Sequence, residues 1–338
     1  MIMTEKIKHS EKYEKINLDH LITIIMPVFN GESTIDGVLI SLEKQNNKDL
    51  IKEIIFINDN SVDKSREVIE KYQERSSYRT RLIDNKNNEG LAKNYNKGIK
   101  ACSSDYFILM HQDIILLENN CFDKIIAPFS DDNIVAVFPG LLHPFSVWKK
   151  YNFWQKCLFS RFVDKTILDL AGKFDCYNRE KLIKHIGFFD EKLFRTAGED
   201  GDMKRKIRKN GFKMIYSGFN VVHLHNREAD FSYKKIFKKE AQLIESQGVL
   251  LRLYGIDNIK DFSMSFFRQI LVILLFIPIV NFLDIFIIST YSFLYTKNVY
   301  IYERKNPRIF LLPIINIYLL FISTFFCLKG FIYGKQKI

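Results

Sequence analysis

Three polar residues follow an apolar run in the stretch DYFILMHQD, at the point where a buried strand would end: His111, Gln112 and Asp113. A carboxylate such as that of Asp113 supplies the oxygen ligands that Mg²⁺ or Mn²⁺ prefers, and His111, on the same strand face, could add a nitrogen ligand. A histidine that is satisfied by local hydrogen bonds would give the same pattern. The stretch therefore indicates a divalent-cation site, with an ordinary buried histidine as the alternative for His111.

Acidic residues also begin a predicted amphipathic helix further along the chain, in GEDGDMKRKIRK. Glu199, Asp200 and Asp202 lie in its first turn, where the helix dipole alone would favour them. A buried acid pair can instead supply the general base that deprotonates a hydroxyl group. The following run NVVHLH places His223 and His225 on one side of a predicted strand, from which they could reach a metal or a phosphate.

Polar residues also follow the second predicted strand, in INDNSVDKS. Capping of the next helix explains Ser61 and Asp63 but does not require Asp59. At the tip of a parallel strand, the Asp59 carboxylate can accept hydrogen bonds from a nucleotide base or ribose while the helix N-terminus faces phosphate.

A third polar block, NNEGLAKNYNKGI, combines glycine with amide and lysine side chains. Gly90 permits a tight entry into a helix, and Asn88, Lys93 and Asn96 could line a polar pocket. A solvated face of a surface helix would look the same.

The order of apolar segments predicts a scaffold that would bring these blocks together. From residue 21 to about residue 230, short apolar runs alternate with amphipathic segments, as in strands that cross to helices in a mostly parallel sheet. Ligands in such sheets bind at the carboxyl ends of the strands. The predicted strands are 21–29, 52–59, 80–85 and 105–113, and the predicted helices are 33–45 with Ser33 as N-cap, 61–76 and 90–102.

Six blocks of this chain, taken in order, resemble the family 2 glycosyltransferases of the GT-A fold. That family tends to show P-x-x-N after the first strand, D-D-x-S-x-D after the second, N-x-G-x-x-x-A-R-N-x-G-I on a helix, a D-x-D metal motif and a late E-D-x-D helix followed by a histidine. The corresponding blocks here, within roughly residues 21–226, are PVFN (27–30), NDNSVD (58–63), NEGLAKNYNKGI (88–99), HQD (111–113), GEDGDMKRKIRKNGF (198–212) and His223.

The resemblance implies a fold and a reaction. The fold would be a Rossmann-like GT-A domain with a mostly parallel central sheet over residues 21–230. The reaction would be the direct displacement of a nucleoside diphosphate from a sugar by an acceptor oxygen, with inversion at the anomeric carbon. Asp113 would bind Mg²⁺ or Mn²⁺, and His223 matches a position that helps to hold the metal or the diphosphate.

The resemblance also implies roles for the remaining blocks. Asp200 would be the catalytic base, with Glu199 supporting the acceptor site, and Asp59 would contact the base of the donor. We expect the donor to be bound by Pro27, Asn30, Asp59, Ser61, Gly90, Lys93 and Asn96, and the metal by Asp113, His223 and His111.

Three residues depart from the family pattern. Asn58 replaces the first Asp of the base-binding pair, Tyr95 replaces the usual Arg, and His111 replaces the first Asp of the metal motif. One carboxylate, together with the diphosphate and water, can still hold Mg²⁺.

The C-terminal part of the chain is apolar and predicts a membrane region over residues 263–338, after a basic amphipathic connector at 231–262. The segments 266–295 and 309–333 are each long enough to cross a bilayer core, which takes about 20 residues. We therefore expect a multi-pass membrane protein. Pro278, Asn281 and Asp284 interrupt the first segment, so a tilted or broken span, an interfacial helix or a buried helix remains open there.

The N-terminal residues 1–20 form a polar leader without the apolar stretch of a signal peptide, so we expect the catalytic domain in the cytosol. The net charge of +11 is accompanied by no nucleic-acid motif, which favours a membrane surface over nucleic acid as partner. The five cysteines lack a C-x-x-C pair and are predicted to be reduced core thiols.

Aromatic and basic residues alternate in HPFSVWKKYNFWQKCLFSRF (143–162), a composition that suits the headgroup zone of a bilayer but also an ordinary half-buried helix. A lipid-carried acceptor, either a lipid-linked glycan or a polyprenyl phosphate, is therefore expected. The alternatives are a polyprenyl-phosphate sugar synthase and a non-catalytic nucleotide-sugar-binding membrane subunit. A nucleotidyltransferase is disfavoured because no long Gly-rich basic loop follows the first strand.

Overall fold

The computed structural model describes residues 22–195, 197–225, 230–256 and 259–336, with side chains for all of these but 259–265. The predicted polar leader at 1–20 lies outside the described residues.

Nine strands form one mixed sheet in the part of the chain that the structure describes. In spatial order the sheet runs β3-β2-β1-β4-β8-β6-β9-β5, and β7 pairs with β6. The neighbours β3, β2, β1 and β4 are parallel, whereas β8 enters antiparallel to β4. The strands are β1 (Ile22–Val28), β2 (Ile51–Asn58), β3 (Thr80–Asp84), β4 (Tyr106–Met110), β5 (Ile114–Leu116), β6 (Ile134–Leu142), β7 (Thr166–Leu168), β8 (Phe174–Asn178) and β9 (Lys213–His223).

Helices cover both faces of the sheet and form the C-terminal region. They are α1 (Ile35–Glu43), α2 (Ser65–Arg75), α3 (Leu91–Ala101), α4 (Cys121–Ile126), α5 (Phe145–Trp148), α6 (Phe153–Phe159), α7 (Arg179–Lys181), α8 (Glu199–Lys209), α9 (Tyr233–Tyr254), α10 (Ile259–Leu274), α11 (Val280–Tyr295), α12 (Lys297–Tyr302) and α13 (Leu312–Tyr333). The predicted alternation of the first four strands and first three helices is confirmed. Ser33 is not the N-cap of the first helix. Helix α1 begins at Ile35, one residue later than a cap at Ser33 would require, so the N-cap residue is Thr34.

The core lies in two apolar layers, one on each face of the sheet, because successive side chains of a strand point to opposite faces. Ile24 and Phe56 pack in the layer under α1 and α2, while their neighbours Ile25 and Ile55 pack in the layer under α3 and α8. Burial of each such side chain stabilises the fold by about 1.5–3 kcal/mol. All five cysteines are free and buried, as predicted.

The first apolar segment, 266–295, is not one helix. It is divided between α10 and α11, with the break at Pro278, which lacks a backbone N–H, and at Ile279, whose φ is 74°. With 16 residues, α11 is about 24 Å long, which is shorter than the hydrocarbon core of a bilayer, at about 30 Å. Within the described part of the chain, Pro307–Tyr333 is the one helical stretch long and apolar enough to cross a membrane.

Candidate active site

Asp113 and His223 come together at the end of β4. After β4 the chain turns through residues 111–113 into β5, which pairs antiparallel with β9 so that Ile114 lies opposite His223. The Asp113 carbonyl accepts the N–H of Leu224 at 2.8 Å, and the Nε2 atom of His223 lies 3.2 Å from the Asp113 carboxylate. The pairing of two short strands thus joins a carboxylate and an imidazole that are 110 residues apart in the sequence.

The surroundings of Asp113 fit a divalent cation. One carboxylate oxygen, Oδ1, is buried without a hydrogen-bond partner among the described residues. Potential ligand atoms of His111, Asp113 and His223 lie within 4.8 Å of one another. Burial alone would raise the pKa of Asp113, but the neighbouring His223, whose Nε2 lies 3.2 Å from the carboxylate, outweighs it and holds the pKa well below its usual range. An ionised carboxylate beside imidazole nitrogens is a donor set for Mg²⁺ or Mn²⁺.

His111 is held by its neighbours. Its Nε2 atom lies 2.7 Å from the Tyr95 hydroxyl, which in turn donates to the Gly172 carbonyl at 2.7 Å, and its Nδ1 atom lies 3.2 Å from Lys173 Nζ. Burial, reinforced by the charge of Lys173, lowers the pKa of His111 well below its ordinary value. The ring is therefore neutral, and both of its nitrogens contact the protein itself.

A second histidine group adjoins the first. His143, after β6, joins His223 and His225 with ligand atoms within 4.8 Å of one another, and these three could also hold a metal ion. Within the described structure, Nε2 of His225 is buried without a partner, and its ring stacks on Phe159 at 3.9 Å between centroids. Sequence reasoning missed His143, since no motif surrounds it.

The acid pair Glu199 and Asp200 begins α8. The preceding Gly198 has φ 96°, and a Cβ there would lie 2.6 Å from Ser246 and 2.8 Å from Phe194, so only glycine fits this entry. Burial raises the pKa of Glu199 to about 7, and the neighbouring Asp200 adds to the rise. A carboxyl group with this pKa exchanges its proton near neutral pH, as an acid–base group must.

Asp202, the third acid of this turn, has a different environment. Its carboxylate accepts the Tyr254 hydroxyl at 2.5 Å and pairs with Lys206 at 2.6 Å. It therefore ties α8 to the end of α9.

Two residues of this region were missed in the sequence, Lys173 and Asp175. The Nζ atom of Lys173 lies 3.2 Å from Nδ1 of His111, and its charge opposes the rise in the pKa of Glu199. Asp175, on β8, accepts the N–H groups of Ala171 and Gly172 at 2.9 and 2.5 Å. Burial nevertheless raises the pKa of Asp175 to about 7. The one signal in the sequence was a lysine and an aspartate flanking a phenylalanine in GKFD.

Asp59 braces the loop that precedes α3. Its carboxylate accepts the N–H groups of Glu89 and Gly90 at 2.8 and 3.0 Å and the side-chain amide of Asn85 at 2.8 Å. Gly90 has φ 86°, and a Cβ there would lie 2.8 Å from the carbonyl oxygen of Arg195. The contact of Asp59 with a nucleotide base stays a prediction.

The loops after β1 and β2 are joined by hydrogen bonds. Asn30 donates its backbone N–H to Ser61 Oγ at 3.1 Å, and its side-chain oxygen accepts the N–H of Val62 at 2.9 Å. Pro27 lies within β1, opposite Ile57. These residues shape the strand ends from which the predicted donor site opens.

Two predicted donor-binding residues on α3 are engaged within the chain. Lys93 pairs with Glu89 at 3.4 Å on the exposed side of the helix. Asn96 is buried, and its amide bonds both the carbonyl and the N–H of Phe189, at 2.9 and 3.0 Å. Asn96 thus fixes the loop before α8.

The fold is that of a GT-A glycosyltransferase. Residues 23–195, about half of the chain, match the profile of glycosyl transferase family 2, and the chain belongs to that family.

Comparison with known proteins gives relatives of the same class. The chain is 26% identical over 227 residues to poly-β-1,6-N-acetyl-D-glucosamine synthase of Staphylococcus aureus, a match that covers 63% of this chain and 52% of the synthase. It thus spans about half the length of that relative. It is 24% identical over 340 residues to the dolichyl N-acetyl-α-D-glucosaminyl phosphate 3-β-D-2,3-diacetamido-2,3-dideoxy-β-D-glucuronosyltransferase of Methanococcus voltae, covering 94% of this chain and 99% of that protein.

A solved structure confirms the fold. The mannosyltransferase PcManGT of Pyrobaculum calidifontis, determined with GDP-Man and Mn²⁺, superposes with a TM-score of 0.59 at 13% identity and covers 90% of this chain and 87% of its own.

Proposed function

We propose that this protein is an inverting glycosyltransferase that moves a sugar from a nucleoside-diphosphate sugar to a lipid-linked acceptor at the cytosolic face of a membrane. The observation that carries the proposal is the Asp113–His223 pair, with its unpartnered carboxylate oxygen, at the carboxyl end of β4. A divalent cation held there would neutralise the charge of the departing nucleoside diphosphate.

The residues around this pair divide the remaining tasks. Asp200 accepts the proton of the acceptor hydroxyl as that oxygen attacks the anomeric carbon and the bond to the diphosphate breaks. Glu199, whose pKa is raised by burial, lies next to Asp200 in the sequence and supports the acceptor site. General-base catalysis of this kind contributes about 10²- to 10⁴-fold to the rate.

The donor side is shaped by the braced loops. Asp59, Asn30 and Ser61 hold the ends of β1 and β2 beside the entry to α3, so the nucleotide meets a preformed surface. A fixed surface loses less conformational entropy when a ligand binds.

Two observations support a lipid-linked acceptor. The name of the relative from Methanococcus voltae includes a sugar that is linked to dolichyl phosphate. In this chain, large apolar side chains are exposed in the C-terminal helices and the turns between them, including Phe276, Phe282 and Phe310. Exposed apolar patches of this kind mark membrane or partner contacts. Both named relatives also form β linkages, which inversion gives from an α-linked donor.

The test is product analysis with purified protein, Mn²⁺, a panel of nucleotide sugars, and two acceptors offered in parallel: a polyprenyl-diphosphate-linked saccharide and polyprenyl phosphate. Sugar added to the lipid-linked saccharide supports the proposal. Transfer to polyprenyl phosphate alone would identify a polyprenyl-phosphate sugar synthase. If the protein binds the donor but neither transfers its sugar nor hydrolyses it, the protein is a non-catalytic subunit.

A further inference from the structure

Helix α9 is tied to the catalytic domain at both of its ends. Just before its start, Asn152 donates to the carbonyl of Phe231 at 3.0 Å. At its end, the Tyr254 hydroxyl donates to Asp202 of α8. The 22 residues of α9, about 33 Å of helix, therefore lie along the surface of the domain.

The apolar helix α13 runs beside α9 in the same direction. Near the starts of the two helices, the rings of Phe237 and Tyr318 are 4.9 Å apart. Near their ends, Arg252 donates to the carbonyl of Phe331 at 3.1 Å. Between these points, Gly248 meets the backbone of Cys327 so closely that a Cβ would overlap its carbonyl oxygen. The two helices are thus in contact along most of their length.

Both ends of α13 also return to the catalytic domain. At its start, Leu312 lies in one apolar cluster with Trp148 and Tyr151. Just after its end, Gln336 donates its N–H to the Leu193 carbonyl at 2.9 Å and accepts the N–H of Arg195 at 3.0 Å. A helix that spans a bilayer has ends about 30 Å apart on opposite sides. Both ends of α13 instead contact the catalytic domain.

Helices α10 and α11 form a hairpin that has an ion pair away from its tip and exposed apolar side chains at the tip, where the one carboxylate among the described residues, Asp284, is buried. Away from the tip, Glu240 of α9 pairs with Arg268 in the middle of α10 and accepts the hydroxyl of Tyr295, at the end of α11, at 3.3 Å. At the tip, Phe276 is 76% exposed and Ile279 is 87% exposed. A buried ion pair is expensive at the centre of a bilayer, whereas an apolar tip is favoured there. The hairpin is oriented with its tip away from the domain.

Basic residues accompany the exposed apolar face. Arg304, Lys305 and Arg308 are exposed in the turn that leads into α13, next to Phe310, which is 78% exposed. Cationic side chains beside an apolar face complement anionic lipid headgroups above hydrocarbon.

We propose that the C-terminal region is a monotopic anchor, in which α13 lies in the plane of an anionic bilayer and the α10–α11 hairpin dips into the same leaflet without crossing it. This inference rests on the membrane location within the proposed function. It replaces the two crossings expected from hydropathy with none.

The inference is tested by labelling single introduced cysteines with a membrane-impermeant maleimide in sealed vesicles of both orientations. The sites are Lys71→Cys on α2 as reference for the catalytic domain, Lys305→Cys before α13, Lys335→Cys after α13 and Ile279→Cys at the hairpin tip. The full-length wild type, whose five cysteines are buried, gives the background.

We expect the variants at 71, 305 and 335 to be labelled from the same side, and the variant at 279 to be protected in vesicles and labelled in detergent. Labelling of 305 from the opposite side would show two crossings, and labelling of 335 from the opposite side would show that α13 crosses. Either outcome overturns the inference while leaving the proposed reaction intact. Flotation of the wild type with anionic vesicles tests membrane binding separately, and its failure overturns both the anchor and the membrane location.

Discussion

The hydroxyl of Tyr95 and the Nε2 atom of His111 are 2.7 Å apart, and these are two of the three residues at which the chain departs from the family pattern. The pattern has an arginine at the first position and an aspartate at the second. A pair that could carry opposite charges is therefore replaced by a neutral, hydrogen-bonded pair, and burial keeps it neutral. The two departures compensate each other across the site.

The losses caused by removing each member of this pair should be less than additive, because both variants remove the same hydrogen bond. A neutral hydrogen bond contributes about 0.5–1.5 kcal/mol, so Tyr95→Phe should lower kcat/KM by roughly 2- to 12-fold. In a double-mutant cycle, the loss of kcat/KM in the Tyr95→Phe/His111→Ala double variant should be smaller than the sum of the two single losses. Tyr72→Phe, which removes a tyrosine hydrogen bond to the Glu43 carboxylate on the α1–α2 side, is the control and should leave kcat/KM unchanged. Fully additive losses would contradict the coupling.

Loss of the predicted base should separate turnover from binding. Asp200→Asn should lower kcat by about 10²- to 10⁴-fold, because the amide cannot accept the acceptor proton, while donor affinity measured by calorimetry stays close to that of the wild type. Asp169→Asn, which removes a half-exposed carboxylate paired with Lys204, is the control. A near-normal rate for Asp200→Asn would mean that another residue is the base.

Chelation should abolish activity, and Mn²⁺ or Mg²⁺ should restore it in the wild type. Asp113→Asn and His223→Ala should each lose the cation-dependent part of donor binding, since they remove the paired carboxylate or imidazole. His185→Ala removes a histidine that packs against Phe212 outside both histidine groups and should keep this dependence. Calorimetric titration of donor with and without cation distinguishes these results. Unchanged cation dependence in Asp113→Asn would place the metal elsewhere.

The buried carboxyl of Asp175 should make stability depend on pH. Its folded-state pKa is raised to about 7, above the value of about 4 in the unfolded chain. Between these values the unfolded chain has released a proton that the folded protein keeps, so the free energy of unfolding should fall as pH rises, by at most about 4 kcal/mol. Thermal unfolding of Asp175→Asn from pH 4 to pH 7.5 should show a flatter profile than the wild type. A slope equal to that of the wild type would be evidence against the raised pKa.

Two helical glycines should respond in opposite ways to the same substitution. Gly248→Ala should destabilise the protein by about 1–3 kcal/mol, because a Cβ would overlap the backbone of Cys327 on α13. Gly37→Ala, on α1, has ordinary space next to Ile115 at 3.4 Å and should stabilise by about 0.5–1 kcal/mol. Thermal unfolding in detergent measures both. An equal shift in the same direction would exclude close packing of α9 on α13.

The first half of the fold could be read from the sequence because its signals are local. Each of β1 to β4 is an apolar run followed by polar residues. Because these strands are parallel neighbours, their carboxyl ends lie at the same edge of the sheet, and no long-range pairing has to be known to predict this. Lys173 and Asp175 could not be found in this way. They reach the site because β8 inserts antiparallel between β4 and β6, a pairing that no local pattern encodes.

The C-terminal region shows a different reason for the limit. Hydropathy measures whether a segment is apolar, and the segments at 266–295 and 309–333 are. It contains no information on the break at Ile279 or on the glycine contact between Gly248 and Cys327. Whether a helix crosses a membrane or lies along a domain depends on such contacts.

The seam between α9 and the helices after it limits how the protein can be shortened. A chain cut at residue 255 to gain solubility would leave Glu240 without Arg268 and Glu245 without Lys329, each a carboxylate with at most 2% of its side chain exposed. Removal of one partner of a buried ion pair costs about 3–5 kcal/mol. The apolar C-terminal region therefore contributes to the stability of the catalytic domain, and its removal would destabilise that domain instead of yielding a soluble enzyme.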